Sequence, residues 1–360
     1  MGKLRGRHGM IDNILYHYEN KRVFVTGHTG FKGSWLCSIL LMLGAQVYGY
    51  ALKPDTDPSL FELLGLERRM NSVLADIRDF ESLSVAMHKA KPDIVFHLAA
   101  QPLVRLSYKE PVETFSTNIL GSVNLLEAVR NTKGVKGCLI ITTDKVYEDN
   151  VQLLGYREND RLGGSDPYSA SKACSELVAK SYRESFFGEE GSTCIATARA
   201  GNVIGGGDYA MDRIIPDCVR YARNKETISI RNPKSIRPWQ HVLEPLAGYL
   251  ALALKLEAGD RDFCSALNFG PYRDDSLTTG ELASVFCGCW GENLKWEHSG
   301  ELKAPHESVI LKLNITKAMK TLGWTPKLTI TQAVGLVVKW EKSYNKLTAT
   351  ENQIKEYFGL

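Results

Sequence analysis

A tyrosine and a lysine four residues apart could carry out acid–base chemistry together. Tyr168 and Lys172 stand at the start of a helix-like run. Because four residues make about one helical turn, both side chains share one face. A free phenol has a pKa of about 10, and an adjacent ammonium favours the phenolate and lowers that pKa. Such a pair could take the proton of an alcohol while a hydride leaves the same carbon.

A Tyr–Lys pair at this spacing also occurs by chance on many helix surfaces, so the elements upstream matter. Residues 22–26 read as a short buried strand and residues 34–43 as an apolar helix. Between them stand Gly27, Gly30 and Gly33, a variant of the dinucleotide fingerprint. Glycines allow a tight turn that brings backbone N–H groups to a pyrophosphate at the helix N-terminus. A glycine-rich turn without a ligand is the alternative, and the order strand, turn, helix favours the dinucleotide site.

The second strand does not decide between NAD and NADP. A dinucleotide site often places Asp or Glu about 20 residues past the glycines to hold the adenosine ribose. Here residues 46–50 are followed by no carboxylate before Asp55. Lys53 could meet a 2′-phosphate or be solvated. The third strand, residues 72–79, ends in carboxylates and places Asp76 where it could reach an adenine.

The next two strands bring small and polar residues to the same predicted sheet edge. Residues 93–101 end in alanines, against which a ring could lie, and His97 there is more typical of a packed histidine than of a catalyst. Asn118 falls inside a long helical pattern at 111–131 and needs buried partners. Residues 137–145 form a fifth strand that ends in Thr143, Asp144 and Lys145. In an open parallel sheet, ligands lie at this carboxyl edge.

Strands alternate with helices up to residue 200, which predicts an α/β fold with a Rossmann-type doubly wound parallel sheet. Beyond residue 200 the regularity fades, and we expect a smaller C-terminal α+β lobe that binds the substrate. Arginines beside aromatic residues there suit a ligand with phosphates and a base. The predicted domains are 18–200, with part of 235–268 returning to it, and 201–345. Residues 347–360 look like a polar tail.

Composition excludes several classes of function. The net charge of the 360 residues is only +3, which gives no sign of a nucleic-acid surface. Eight cysteines are scattered without a Cys-x-x-Cys pair, which favours reduced thiols in a cytoplasm over metal or disulfide use. No apolar run is long enough to span a membrane. Residues 1–9 lack the apolar region of a signal peptide, and Met10 is a candidate natural start.

Taken together, the chain resembles the extended short-chain dehydrogenase/reductase family over about residues 21–340. Its Thr142-Thr143-Asp144 is similar to the strand end of the nucleotide-sugar 4,6-dehydratases within that family, most of which have Glu where Lys145 stands. Stretches 26–33, 143–148 and 237–242 are similar to those members that act on CDP-glucose. The motifs that carry the family resemblance are Thr26-Gly27-His28-Thr29-Gly30-Phe31-Lys32-Gly33, His97-Leu98-Ala99-Ala100-Gln101, Asn118, Tyr168-Ser169-Ala170-Ser171-Lys172 and Arg199-Ala200-Gly201-Asn202-Val203.

The resemblance implies an NAD-dependent hydro-lyase that converts CDP-glucose to CDP-4-keto-6-deoxyglucose and water, in deoxysugar and O-antigen biosynthesis. It implies a homodimer or a dimer of dimers, paired through the helices at 111–131 and 168–187. The rivals are another nucleotide-sugar 4,6-dehydratase, a 4-epimerase or decarboxylase, and a non-catalytic dinucleotide sensor. A sensor of this kind usually loses the Tyr or the Lys, whereas this chain keeps both.

The same resemblance assigns roles to individual residues, with no metal among them. Lys145 stands where the C5 proton must be handled, and an exposed strand-end lysine is the equal alternative for it. A solvated Arg105 is likewise as plausible as a ligand-binding one. The catalytic set is Thr143, Asp144, Lys145, Tyr168 and Lys172. The cofactor set is Gly27, Thr29, Gly30, Phe31, Lys32, Gly33, Asp76, Ile77, Leu98, Ala99, Ala100, Gln101, Asn118, Tyr168 and Lys172. The substrate set is Gln101, Arg105, Asn202, Arg213, Arg237 and His241.

Overall fold

A computed structural model of the chain describes residues 10–150, 152, 154–272, 275–300 and 311–360. The strands are β1 (Arg22–Thr26), β2 (Gln46–Ala51), β3 (Asn71–Leu74), β4 (Ile94–His97), β5 (Gly137–Ile141), β6 (Cys194–Ala200), β7 (Val203–Ile204), β8 (Ile228–Ile230), β9 (Ile236–Arg237), β10 (Gln240–His241), β11 (Ala266–Phe269), β12 (Leu277–Thr278) and β13 (Trp296–His298). The α-helices are α1 (Met10–His17), α2 (Phe31–Met42), α3 (Leu60–Leu63), α4 (Phe80–Ala90), α5 (Val104–Lys109), α6 (Pro111–Phe115), α7 (Gly121–Asn131), α8 (Pro167–Phe186), α9 (Ile214–Asn224), α10 (Leu243–Glu257), α11 (Thr279–Trp290), α12 (Ile330–Lys342) and α13 (Lys346–Phe358). Shorter helical turns are Leu66–Arg68, Ser116–Leu120, Asp144–Val146, Arg261–Phe263 and Ala318–Leu322.

Seven strands form one parallel sheet in the order β11-β6-β5-β4-β1-β2-β3. Strands β1, β4, β5 and β6 are buried almost throughout, as expected for a parallel sheet covered on both faces. The predicted α/β fold with a doubly wound sheet is confirmed. Because the strand order reverses between β1 and β4, a crevice opens there at the carboxyl edge.

Alternate residues of each strand enter two separate cores. Val23 and Val25 of β1 pack in one core, with helices α1, α2 and α10. Phe24 lies between them in sequence and packs in the other core, with α4 and α7. This division follows from the two-residue period of a strand, which sends successive side chains to opposite faces.

A third core holds the lobe that follows β6. It joins α9, α11 and α12 with β8 through residues such as Ile215, Phe286 and Val334. Three two-stranded pairs brace it: β10 with β7 and β13 with β8 in parallel, and β12 with β9 antiparallel. Helix α10 then returns to pack on β5 and β6, and β11 adds the outer strand of the large sheet.

The expectation of a polar tail at the C-terminus is wrong. Residues 346–358 form α13, whose Ile354, Tyr357 and Phe358 belong to the same core as α2 and α10. The apolar side chains are spaced three to four residues apart and make one stripe among many polar residues. This apolar stripe is narrow, and it predicts a buried helix only when the groove in which it packs is known. Within the described ranges, no helix is both long and apolar enough to cross a bilayer.

Candidate active site

A cleft of roughly 470 Å³ opens between the carboxyl edge of the sheet and the lobe. Its walls come from the start of α2, from α5, from the segments after β5 and β6, and from the loop before α9. The cleft brings together residues that lie far apart in sequence. Those predicted from the sequence that line it are Phe31, Lys32, Arg105, Thr143, Asp144, Lys145, Tyr168, Asn202, Arg213 and Arg237.

The start of α8 is fixed by local chemistry, which places the Tyr168 side chain. Asp166 caps the helix, since its Oδ1 accepts from the backbone N–H of Ser169 at 3.0 Å. Pro167 stands at the first helical position, where its missing N–H costs nothing. The backbone N–H of Tyr168 donates to Ser107 Oγ at 3.2 Å, which ties α8 to α5. The phenol therefore enters the cleft from a rigid helix end.

The ionisation of Tyr168 differs from the expectation. Burial disfavours the phenolate and raises the pKa of Tyr168 to about 12, against a hydrogen bond with Thr143 that lowers it. Lys172 is buried one turn further on, but its Nζ donates to the carbonyl O of Ile141 at 2.9 Å. Burial, followed by the charge of Lys32, lowers the pKa of Lys172 to about 8. The predicted lowering of the phenol pKa by Lys172 is thus not found in the folded chain itself.

Asp144 is the buried acid of the cleft. It begins a helical turn directly after β5, and its Oδ1 accepts a hydrogen bond from Thr143 Oγ1 at 3.0 Å. Its Oδ2 is buried and has no hydrogen-bond partner among the described residues. Burial raises the pKa of Asp144, although Lys145, the Thr143 hydrogen bond and Arg237 each lower it. A carboxyl group whose pKa is raised by burial holds its proton to a higher pH than an exposed carboxyl group and can donate it to a substrate oxygen.

Lys145 lies in the same helical turn and lines two cavities. Its side chain contributes to the main cleft and also to an adjoining small cavity next to Tyr147 and Asp166. It is half-buried, so it is not the freely exposed strand-end lysine of the alternative interpretation. Its position allows contact with a ligand that also reaches Asp144.

The glycine turn after β1 fits a pyrophosphate. Gly27 has a φ of 72°, and a Cβ there would lie 2.6 Å from the backbone N of Ala99. A Cβ at Gly33 would lie 2.1 Å from the carbonyl O of Gly27. Gly30 is the N-cap of α2, and no side chain caps this helix end. The first N–H groups of α2 therefore remain available to an anionic group.

Thr29 and the first residues of α2 extend the turn in two directions. Thr29 Oγ1 donates to the carbonyl O of Leu52 at 2.9 Å, which joins the turn to the end of β2. Phe31 and Lys32 lie on the cleft side. Burial, and then the charge of Arg213, lowers the pKa of Lys32 to about 8. The structure thus places Lys32 closer to the predicted substrate residues than its assignment to the cofactor set implies.

The segment after β4 is held in a fixed shape by Asn118. Asn118 Oδ1 accepts from the backbone N–H of Gln101 at 2.8 Å, and its Nδ2 donates to Ser171 Oγ at 2.8 Å. Asn118 itself lies in a π-helical turn between α6 and α7. Gln101 and Ser171 thus supply the hydrogen-bond partners that a buried asparagine needs. Thr26 Oγ1 fixes the segment further, since it accepts from the backbone N–H of Ala99 at 3.2 Å. Leu98, Ala99 and Ala100 thus form a wall beside the glycine turn.

Two more residues of the predicted cofactor set, Asp76 and Ile77, follow the carboxyl end of β3. Asp76 follows β3 and forms a salt bridge with Arg78, which is the main reason that its pKa is lowered. Ile77 is buried against Gly121 of α7, where a Cβ would come within 2.8 Å of its side chain. Both residues follow β3, the outer strand on this side of the sheet.

Arginines gather on both sides of the cleft. Arg213 Nη1 lies 2.9 Å from Asp208 Oδ2. Arg105 and Arg231 both contact Asp212 Oδ1, at 3.5 Å and 2.8 Å. Arg237 is buried in the cleft wall. Several guanidinium groups in one cleft suit an anionic ligand that offers more than one oxygen.

Two residues of the predicted substrate set lie elsewhere. His241 is fully buried and packs edge-on against Trp35, outside the cleft lining. The side chain of Gln101 forms hydrogen bonds with Leu103 and Thr114, so it stabilises the local fold. Both residues of β10, Gln240 and His241, are buried, and neither lines the cleft.

Sequence reasoning missed several residues of the site. Lys109, Asp212 and Arg231 line the cleft, and nothing in their local sequence marks them. Glu176 is buried beside the site and lies one helical turn after Lys172, a spacing that the sequence does show. Among the described residues, no cluster of three or more potential metal ligands occurs.

Comparisons with known sequences identify the family, and comparisons with solved structures match the fold. A family model described as GDP-mannose 4,6 dehydratase matches residues 24–336. The CDP-glucose 4,6-dehydratase of Salmonella typhimurium is 49% identical over 358 residues, which cover 97% of this chain and 99% of that protein. The solved dTDP-glucose 4,6-dehydratase of Streptomyces venezuelae, with NAD bound, has a TM-score of 0.74 at 22% identity and covers 88% of this chain and 96% of its own. The UDP-glucose 4-epimerase of Stenotrophomonas maltophila, also with NAD bound, has a TM-score of 0.79 at 22% identity and covers 90% and 98%.

Proposed function

The chain belongs to the GDP-mannose 4,6-dehydratase family, and from this premise we propose that it is an NAD-dependent CDP-glucose 4,6-dehydratase. It converts CDP-glucose to CDP-4-keto-6-deoxyglucose and water, a step in the synthesis of deoxysugars such as those of O-antigens. The observation that carries the proposal is the near full-length identity to the Salmonella typhimurium enzyme. The cleft supports it, because a phenol, a buried acid and a lysine face one space beside a pyrophosphate cradle.

The first step is oxidation at C4 of the glucose. Tyr168 takes the proton of the C4 hydroxyl, and Thr143, which already bonds the phenol, holds the C4 oxygen. NAD, held at the turn of Gly27, Gly30 and Gly33, would supply the hydride acceptor for C4 and the hydride donor for C6, and its positive charge when oxidised would favour the phenolate of Tyr168. Lys172 would bond the nicotinamide ribose, and because its Nζ carries three donors it can keep the bond to the Ile141 carbonyl.

The second step is the loss of water across C5 and C6. The C4 ketone acidifies the C5 hydrogen, and Lys145 takes that proton as the base. Asp144 donates its proton to the C6 oxygen, which leaves as water. Its raised pKa and unpaired Oδ2 suit this role. The proton held by Lys145 returns to C5 when hydride reaches C6. The proton that Tyr168 took from the C4 hydroxyl replaces the one that Asp144 gave to the departing water, by way of Thr143, which bonds both groups, and this balances the reaction.

The arginines would hold the nucleotide. A diphosphate offers several oxygens, and Arg213, Arg105 and Arg237 line the cleft from both of its sides. Asn202 lines the same wall and is placed to bond the sugar. The sheet, residues 18–200 with the returning α10 and β11, would hold NAD, while residues 201–345 hold the nucleotide sugar.

The experiment that tests the function is incubation with CDP-glucose, dTDP-glucose and UDP-glucose in separate reactions, with the product identified by mass. We expect CDP-glucose to lose one water and the other two to react far more slowly. An isomer of unchanged mass, separated from the substrate by chromatography, would identify a 4-epimerase instead. No reaction with any of the three would favour a dinucleotide sensor. The Tyr168→Phe protein is the matched control for contaminating activity.

We also propose a cytoplasmic homo-oligomer built on the dimer of α6–α7 with α8. All eight cysteines are free thiols, in keeping with a reducing compartment. Val112, Leu120, Leu177 and Phe186 are large apolar side chains exposed on these helices. Light scattering should therefore show a dimer or tetramer, and Leu177→Glu should dissociate the dimer. Val85→Glu, an equally exposed change on α4, should not. A monomeric wild type would refute the assembly.

A further inference from the structure

A buried carboxylate lies directly behind the proposed catalytic pair. Glu176 follows Lys172 by four residues on α8, so the two side chains share one helix face. Its Oε1 accepts from Thr142 Oγ1 at 2.5 Å and from Arg199 Nε at 2.9 Å. Its Oε2 accepts from Thr197 Oγ1 at 2.7 Å and from Arg199 Nη2 at 2.9 Å. Both oxygens are thus satisfied away from water.

These bonds join the helix to the strand end that carries the other proposed catalytic residues. Thr142 immediately precedes Thr143 and Asp144, so its bond to Glu176 sets where β5 ends relative to α8. Arg199 of β6 extends the connection, since its Nη1 donates to Tyr147 Oη at 2.9 Å. The segment from 142 to 147 is therefore held at both ends by one ion pair.

Glu176 also acts on Lys172 through its charge. The groups that face Lys172 are Glu176 from its own helix, Lys32 from α2 and His97 from β4. Burial and the Lys32 cation both lower the pKa of Lys172, whereas Glu176 raises it. The pKa of His97 is lowered to about 3, so the imidazole is neutral and adds no charge. Glu176 is thus the counter-charge for a lysine buried among neutral groups and another cation.

We propose that Glu176 is a positioning residue for the dehydration: it ties the 142–144 strand end to α8 and keeps Lys172 charged. The proposal rests on the proposed function for the part that concerns turnover. A purely structural ion pair would hold the same elements together, yet it would not alter the proton affinity of Lys172. The two roles can be separated by removing the charge of Glu176 with and without that of Arg199.

The experiment compares Glu176→Gln with the double variant Glu176→Gln/Arg199→Met. Glutamine keeps the shape but leaves the Arg199 cation buried without a counter-charge, so the melting temperature should fall. The double variant removes both charges and should regain most of that loss. If Glu176 keeps Lys172 protonated, the alkaline limb of kcat/KM for CDP-glucose should move down by about one pH unit in both variants. Activity at the pH of the wild-type midpoint then falls about fivefold.

A direct titration makes the result independent of turnover. NMR of protein with ¹³C-labelled lysines, free of cofactor and substrate, reports the pKa of Lys172, whose resonance is identified by its loss in Lys172→Arg. The pKa of Lys172 should decrease in both Glu176 variants. It should stay unchanged in Glu184→Gln, which alters an exposed carboxylate on the same helix. A double variant that regains both stability and the wild-type lysine titration would overturn the proposal. An inactive wild type with the expected lysine shift would refute the function but keep the role of Glu176.

Discussion

Replacing Asp144 by asparagine should separate sugar oxidation from the loss of water. Asparagine has nearly the same shape, and its Oδ1 can still accept the 3.0 Å hydrogen bond from Thr143. Contacts with Gly201, where a Cβ would lie 3.0 Å from Asp144 Oδ2, are unchanged. An amide cannot donate a proton to the C6 oxygen. General acid catalysis contributes about 10²–10⁴-fold, or about 3–5 kcal/mol, so elimination should slow by that factor.

A single-turnover assay measures the two steps separately. With CDP-glucose, Asp144→Asn should oxidise C4 at nearly the wild-type rate and then accumulate reduced nicotinamide, visible by its absorbance. In the wild type the hydride returns to C6, so little accumulates. Asp160→Asn, the same change outside the cleft, should behave as the wild type. Elimination at the wild-type rate in Asp144→Asn would refute the acid role.

The effect of Asp144→Asn on the stability of the fold should depend on pH. Burial raises the pKa of Asp144 in the folded chain above its ordinary value. The folded state therefore binds more protons than the unfolded state over the interval between the two pKa values, and stability falls as pH rises through it. Asparagine does not titrate. The variant should unfold at a higher temperature than the wild type at pH 8 and at a similar temperature at pH 3.5. Equal melting temperatures at both pH values would show that Asp144 titrates normally.

Three further substitutions test other parts of the structure. Tyr168→Phe should lower the rate of C4 oxidation by about 10²–10⁴-fold. Its dissociation constant for CDP, measured by calorimetry, should stay within about twofold of the wild-type value. Oxidation at the normal rate would exclude the phenol as the base. Lys145→Ala should slow the uptake of deuterium at C5 from heavy water, which is measured by the mass of the product. Elimination at the normal rate in this variant would refute the role of Lys145 as the base. Phe358→Ala should reduce the free energy of unfolding by about 3–5 kcal/mol, because this side chain is 2% exposed. The exposed neighbour Lys355→Ala should change it by less than about 0.5 kcal/mol, and a similar small loss for Phe358 would mean that α13 does not stabilise the fold.

Local chemistry made much of the fold readable from the sequence. The buried apolar run of β1, the glycine turn and the capped start of α8 each depend on residues within a few positions of one another. The alternation of strands and helices predicted a parallel sheet, in which the carboxyl ends of the strands meet at one edge. For this reason the sheet and the carboxyl-edge position of Thr143 and Asp144 could be predicted. The tail beyond residue 346 could not, because its narrow apolar stripe gains meaning only from the groove that receives it.

The sequence by itself determined which groups are present and which of them share a helix face or a strand end. It placed Tyr168 with Lys172 and Thr143 with Asp144, since spacing sets those pairs. Only the tertiary structure decided how each group is charged and what it touches. Burial, not the neighbouring lysine, governs the phenol of Tyr168, and the same burial raises the pKa of Asp144. His241 turned into the core and Arg231 into the cleft because desolvation and long-range packing depend on all surrounding elements at once.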